Sequence, residues 1–150
     1  MFKMKVAVYD QTYQDNTIEY LIELLDELSN VSAEVYIEKD FYELYRAKGK
    51  SQTFPNFTME EGLNASFDMF VSFGGDGTIL RATTFVKDLG IPNVGVNTGR
   101  LGFLSTFKKE DVRKVVREFK QGAYTVVERS LVQLNTKELD VEFGDLNFAL

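Results

Sequence analysis

The residues best suited to chemistry gather in two short stretches of this 150-residue chain. The first is Gly74-Gly75-Asp76-Gly77-Thr78, where one carboxylate stands among three glycines at the end of an apolar run from Phe67 to Phe73. Glycines permit positive φ and let a ligand approach the bare backbone. Successive amide N–H groups at the start of a helix also make a site for anionic oxygen. That explains the glycines but not Asp76, which would repel a phosphate. Three roles suit it: a helix cap, a ligand to a divalent cation bridging phosphate oxygens, or an acceptor of the proton from an attacking hydroxyl. The second stretch is GVNTGRLGFL, from Gly95 to Leu104. Within it Asn97 and Thr98 are placed to hydrogen-bond a ligand or to shape the turn, and Arg100 is a candidate phosphate contact.

The elements that must position these residues alternate strand and helix. Lys3 to Tyr9 reads as a first strand. Asn16 and Glu19 are spaced as a capping pair, and Ile18, Leu21, Ile22, Leu25 and Leu28 follow at helical spacing. Glu34 to Glu38 reads as a second strand. Asp40 is the expected cap of a short helix reaching Lys48, with Phe41, Leu44 and Tyr45 on one side, and Gly49 to Thr58 reads as a surface loop. Phe67 to Phe73 is apolar almost throughout, as in a strand covered on both faces. A helix is expected from Thr78 to Lys87 and a fourth strand from Asn93 to Asn97. A further helix carries Val112, Val115, Val116 and Phe119 on one face. The order predicts an α/β fold, a Rossmann-like parallel sheet with helices on both faces. In such a sheet ligands bind beyond the carboxyl ends of the strands, where Gly74–Gly77 would lie.

The pattern changes after Gly122. Thr125 to Leu134 reads as a long strand, and Val141 to Phe148 as a hairpin around Gly144-Asp145. The expected organisation is a nucleotide-binding domain over 1–122 and the beginning of a truncated β-rich domain over 123–150.

Composition narrows the chemistry. The chain is 44% hydrophobic and 27% charged, enough apolar matter for a core. It contains no cysteine and no histidine. Disulfides, thiolate metal sites, cysteine nucleophiles, Ser-His triads and imidazole ligands are therefore excluded, leaving carboxylates for acid–base work. The net charge of −6 argues against general nucleic-acid binding. Between Asp76 and Gly122, however, nine Lys/Arg face five Asp/Glu, a local excess suited to a phosphorylated small molecule. The first residues lack a long apolar signal core, and no stretch reaches the ~20 apolar residues of a membrane span, so the reading is cytoplasmic with no membrane partner.

Neither a Walker A pattern nor G-x-G-x-x-G is present. Instead, Gly74 to Thr78 resembles the GGDGT signature shared by NAD kinases and the diacylglycerol and sphingosine kinases. The stretch GVNTGRLGFL is similar to the NAD kinase form of the next loop, where lipid kinases carry a different pattern. VERSLVQL, Val127 to Leu134, resembles the strand opening that family's second domain, and the final FAL resembles the lead-in to its Asn-Glu pair. The resemblance runs along the whole chain in order and departs from the family in length.

The resemblance implies transfer of a phosphoryl group from ATP, with a divalent metal such as Mg2+, to the 2′-hydroxyl of the adenosine ribose of NAD. It gives Asp76 the catalytic role, as proton acceptor and ribose contact. It places Gly74, Gly75, Gly77 and Arg81 against the dinucleotide, and Leu101 and Phe103 in the adenine pocket. No residue here is assigned to a metal. A cation near the start of a helix opposes the macrodipole, which favours a functional reading of Arg81. Relatives commonly form dimers or tetramers, so a homo-oligomer is expected. The competing readings are a lipid kinase of the same superfamily and a non-catalytic nucleotide sensor. The chain alone is expected to be inactive.

Overall fold

The computed structural model describes residues 3–11, 16–105, 107–133 and 148–149. The alternation predicted from sequence forms one six-stranded parallel sheet. Its strands are β1 (Lys5–Asp10), β2 (Glu34–Glu38), β3 (Asn56–Phe57), β4 (Met69–Gly74), β5 (Asn93–Asn97) and β6 (Phe107–Lys108), in the spatial order β3-β2-β1-β4-β5-β6. Among the described residues the α-helices are α1 (Thr17–Asn30), α2 (Lys39–Ala47), α3 (Asp76–Val86) and α4 (Val112–Lys120).

Alternation along β1 divides the core. Val6 and Val8 face a cluster that takes in Leu21, Leu24 and Leu28 of α1, Phe41 and Tyr45 of α2, and Val112, Val115 and Val116 of α4. Ala7 and Tyr9 face the other side, where Phe57, Phe70, Ala82 and Phe85 pack together. Helices therefore cover both faces. Across the first layer, the carboxylate of Glu27 on α1 accepts hydrogen bonds from Arg117 Nε at 2.8 Å and Arg113 Nη1 at 3.3 Å, tying α1 to α4.

Several local expectations need correction. Asn16 already has helical backbone angles (φ −81°, ψ −12°) and its side chain makes no cap. A capping side chain needs the extended geometry that aims its oxygen at the following N–H groups. Glu38, not Asp40, caps α2: its φ of −56° and ψ of 141° are extended, and its carboxylate accepts from the Phe41 N–H at 3.0 Å. The expected loop from Gly49 to Thr58 contains β3, whose Phe57 is buried. Two residues are too few for periodicity to register. β6 escaped notice for the same reason. Thr125 to Gln133, the described part of the expected strand, is not continuous: β7 (Val132–Gln133) is paired antiparallel with β8 (Phe148–Ala149), and Thr125 to Leu131 are exposed without regular structure. The hairpin turn at Gly144-Asp145 lies outside the described residues.

The sheet reverses its order of growth between β1 and β4, since β2 lies on one side of β1 and β4 on the other. This is the topological switch point of an open parallel sheet. The Gly-Gly-Asp-Gly loop emerges beside it.

Candidate functional site

β4 ends at Gly74, whose φ of +142° lies in a region that L side chains rarely adopt. A Cβ there would overlap the Thr78 side chain, so the tight strand-to-helix turn needs this glycine. Gly75 has an extended backbone, and Asp76 opens α3. Asp76 does not cap its own helix. Its carboxylate turns toward the loop that follows β5. Oδ2 accepts from the Phe103 N–H at 2.8 Å, and Oδ1 accepts from Leu104 N–H at 2.9 Å and Ser105 N–H at 3.4 Å. The two stretches singled out by their chemistry thus bond to each other.

The hydrogen bonds from Leu104 and Phe103 hold the Asp76 carboxyl below the usual aspartate range, against the opposing effect of desolvation. Gly102 makes the approach possible, since a Cβ there would overlap both oxygens of Asp76. The loop itself is organised by Asn97, the buried last residue of β5. Its Oδ1 accepts from the Gly99 N–H at 2.8 Å, while Nδ2 donates to the Arg100 carbonyl and, at 2.8 Å, to Ser105 Oγ. Leu101 lines a cleft of about 160 Å³ with Asn97, Gly99, Lys108, Lys109 and Glu110.

Polar groups collect along the same sheet edge. Asp10 at the end of β1 and Glu38 at the end of β2 are both buried. Burial pushes the Glu38 carboxyl above its ordinary range. Tyr9 is pushed up to about 12, chiefly by burial, while Arg81 draws it down. The Arg81 guanidinium lies close enough to the Tyr9 hydroxyl to act on it, bringing α3 and β1 together across the switch point.

Gly74, Gly75, Asp76 and Gly77 therefore sit together at the carboxyl edge, with half-buried Arg81 on the second turn of α3 beside Tyr9. Leu101 and Phe103 are placed differently. They are 61% and 94% exposed, and Phe103 contributes its backbone N–H to Asp76 while its ring stands in solvent. Arg100 is also exposed, and its carbonyl serves the loop. Sequence reasoning did not single out Tyr9, Glu38, Gly102 or Ser105. The first two had a usable signal in their positions at strand ends, and Gly102 had one in being a third glycine within the second stretch.

Residues 6–124 match the family model described as the ATP-NAD kinase N-terminal domain. The chain belongs to the NAD kinase family. It is 39% identical over 148 residues to the NAD kinase of Flavobacterium psychrophilum, covering 98% of this chain and 50% of that protein. With the NAD kinase of Christiangramia forsetii it shares 39% identity over 146 residues, covering 95% of this chain and 50% of the relative. The chain thus spans about half the length of the curated NAD kinases it matches. The crystal structure of yeast NADH kinase complexed with NADH has the same fold, with a TM-score of 0.69 at 24% identity over 86% of this chain and 41% of the other. No helix among the described residues is long and apolar enough to cross a membrane.

Proposed function

We propose that this chain forms the N-terminal, glycine-loop half of an NAD kinase, which transfers the γ-phosphoryl group of ATP to the 2′-hydroxyl of the adenosine ribose of NAD and releases NADP and ADP. The remaining half would be a β-rich domain beginning near Ala123, and the complete protein a homo-oligomer. The observation that carries the reading is the direct hydrogen bonding of Asp76 to the loop after β5 at the switch point. Both motifs of the NAD kinase resemblance meet there in one arrangement.

In the proposed reaction the ribose O2′ attacks the γ-phosphorus in line. The O2′–P bond forms as the bond from phosphorus to the β–γ bridging oxygen breaks, and the hydroxyl proton passes to the Asp76 carboxylate. A carboxylate stabilised by three N–H donors is a weak base. In a loose transition state the hydroxyl gives up its proton late, so a weak base suffices if it is well placed. The Asp76 role combines positioning of the hydroxyl with late proton acceptance. Gly74, Gly75 and Gly77 supply close backbone approach for the dinucleotide, and Arg81 supplies a half-buried cation beside Tyr9. Leu101 and Phe103 offer exposed apolar surface on which adenine can stack.

A resident metal does not fit the residues in hand: no group of three or more carboxylates among the described residues is placed to hold one. The divalent cation would enter with the ATP substrate, bound to its phosphates.

The test is to incubate the full-length protein with ATP, magnesium and NAD and to follow NADP with an NADP-specific dehydrogenase, with a diacylglycerol sample alongside. NADP formation supports the reading. Phosphorylated lipid without NADP would transfer the site to a lipid kinase, and no product in either sample would favour a nucleotide sensor.

A further inference from the structure

We infer that Asn97 is a positioning residue for Asp76, holding the Gly99–Ser105 loop in the one shape that brings its N–H groups onto the carboxylate. Its bearing on phosphoryl transfer rests on the function proposed above, whereas its grip on Asp76 does not.

Asn97 stands at the buried end of β5. It is 3% exposed and pairs in register with Gly74 of β4 on one side and with Lys108 of β6 on the other. Its backbone is thus fixed to the strand from which Asp76 emerges two residues later. Its side chain then reaches both arms of the loop. The Gly99 N–H must face the amide oxygen, and the Arg100 carbonyl must face the amide nitrogen, so the orientation of the group is dictated by its partners. The second amide hydrogen goes to Ser105 Oγ.

Ser105 is the hinge of the inference. Its hydroxyl oxygen is held by Asn97, and its backbone N–H points at Asp76 Oδ1. The next two residues back along the chain, Leu104 and Phe103, supply the shorter bonds to the carboxylate. A displacement at Asn97 therefore passes through Ser105 to all three donors. Of the two roles open for Asn97 in the sequence, these bonds support the shaping of the turn: both amide hydrogens and one acceptor site are engaged within the loop.

Asn97→Ala removes every one of these bonds. Asn97→Asp keeps an acceptor for Gly99 but sets a carboxylate oxygen against the Arg100 carbonyl. The readout is the titration of Asp76, followed by NMR of the full-length protein labelled at the aspartate carboxyl carbons and assigned through the signal lost in Asp76→Asn. In both variants the Asp76 titration should rise toward the ordinary aspartate value while the other aspartates titrate as before. Exchange of the Phe103 and Leu104 amide hydrogens should quicken roughly tenfold. Turnover of NAD should fall roughly tenfold in kcat with KM for NAD little changed. If either variant fails to fold, Ser105→Ala gives the same test, since it deletes the distal acceptor and leaves the Ser105 N–H. It should shift Asp76 in the same direction by a smaller amount.

An unchanged Asp76 titration in the folded variants overturns the inference. So does a uniform shift of all aspartates, which would mark general loosening. Absence of NADP formation in the unmodified protein would defeat the proposed function while leaving the titration result to stand.

Discussion

Gly102→Ala adds one methyl group at the point where the loop after β5 lies against Asp76. The new Cβ would stand 2.5 Å from Asp76 Cγ and closer still to Oδ1, whereas ordinary van der Waals contact begins near 3.4 Å. The loop must retreat by roughly an ångström or the carboxylate must swing away. Either movement stretches the bonds from Phe103 at 2.8 Å and Leu104 at 2.9 Å past hydrogen-bonding range. Two consequences follow. The Asp76 titration should rise toward the ordinary aspartate value, because the N–H groups that lower it have moved. NAD turnover should fall about 100-fold, the cost typical of an ångström-scale misplacement of a catalytic group. Carboxyl-carbon NMR reads the first and coupled NADP formation the second. Gly102 is exposed and does not fall in the left-handed region, so the fold should survive and thermal unfolding should move little. A Gly102→Ala protein with the original Asp76 titration and unaltered turnover would refute the claim that the carboxylate works only while gripped.

Other perturbations test the frame around the site. Gly74→Ala combines an unfavourable φ of +142° with overlap on Thr78 and should cost about 3 kcal/mol by urea denaturation, a loss below ~0.5 kcal/mol counting against the turn as described. Phe70→Ala empties a fully buried position whose ring lies 5.7 Å from Phe57, 6.1 Å from Phe85 and 6.2 Å from Tyr9, and should cost about 3–5 kcal/mol. Glu38→Gln addresses a carboxyl whose folded-state pKa is raised by burial. Stability drawn from such a group is complete below the ordinary glutamate pKa and is lost as pH rises through the raised value. The substituted amide keeps an acceptor for the Phe41 N–H without the charge, so the stability of Glu38→Gln relative to the original protein should improve in urea titrations as pH rises above the ordinary glutamate range. A relative loss over that window would contradict the sign.

The parallel sheet was legible because Met69 to Gly74 and Asn93 to Asn97 are strands long enough for their apolar character to stand out, and because α1 and α4 repeat their buried residues at helical spacing. The two-residue strands β3 and β6 were not legible, since they owe their existence to a neighbouring edge and carry no period of their own. Capping was misjudged at Asn16 and Asp40 for a related reason. Residue type marks a candidate cap, but backbone angles decide which residue serves, and Glu38 holds the extended ones. Asp76 was recognisable among its glycines, yet its partners lie some 27 to 29 positions later in the chain. Nothing local in sequence states that Phe103 would turn its backbone inward and its ring to solvent. The resemblance named the Phe103 side chain, and the bond from its N–H to Asp76 adds a backbone role that residue type does not announce.

The central claim is that the Asp76 carboxylate acts directly on the ribose hydroxyl, orienting it through its charge and taking its proton late in the transfer. Asp76→Asn in the full-length protein tests it most directly, because asparagine keeps one acceptor for the loop and loses the charge and the capacity to take a proton. Steady-state NADP formation should show a fall in kcat of about 100-fold or more, with KM for NAD within about twofold of the original. Unchanged kcat would contradict the account and leave Asp76 as no more than the anchor of a loop.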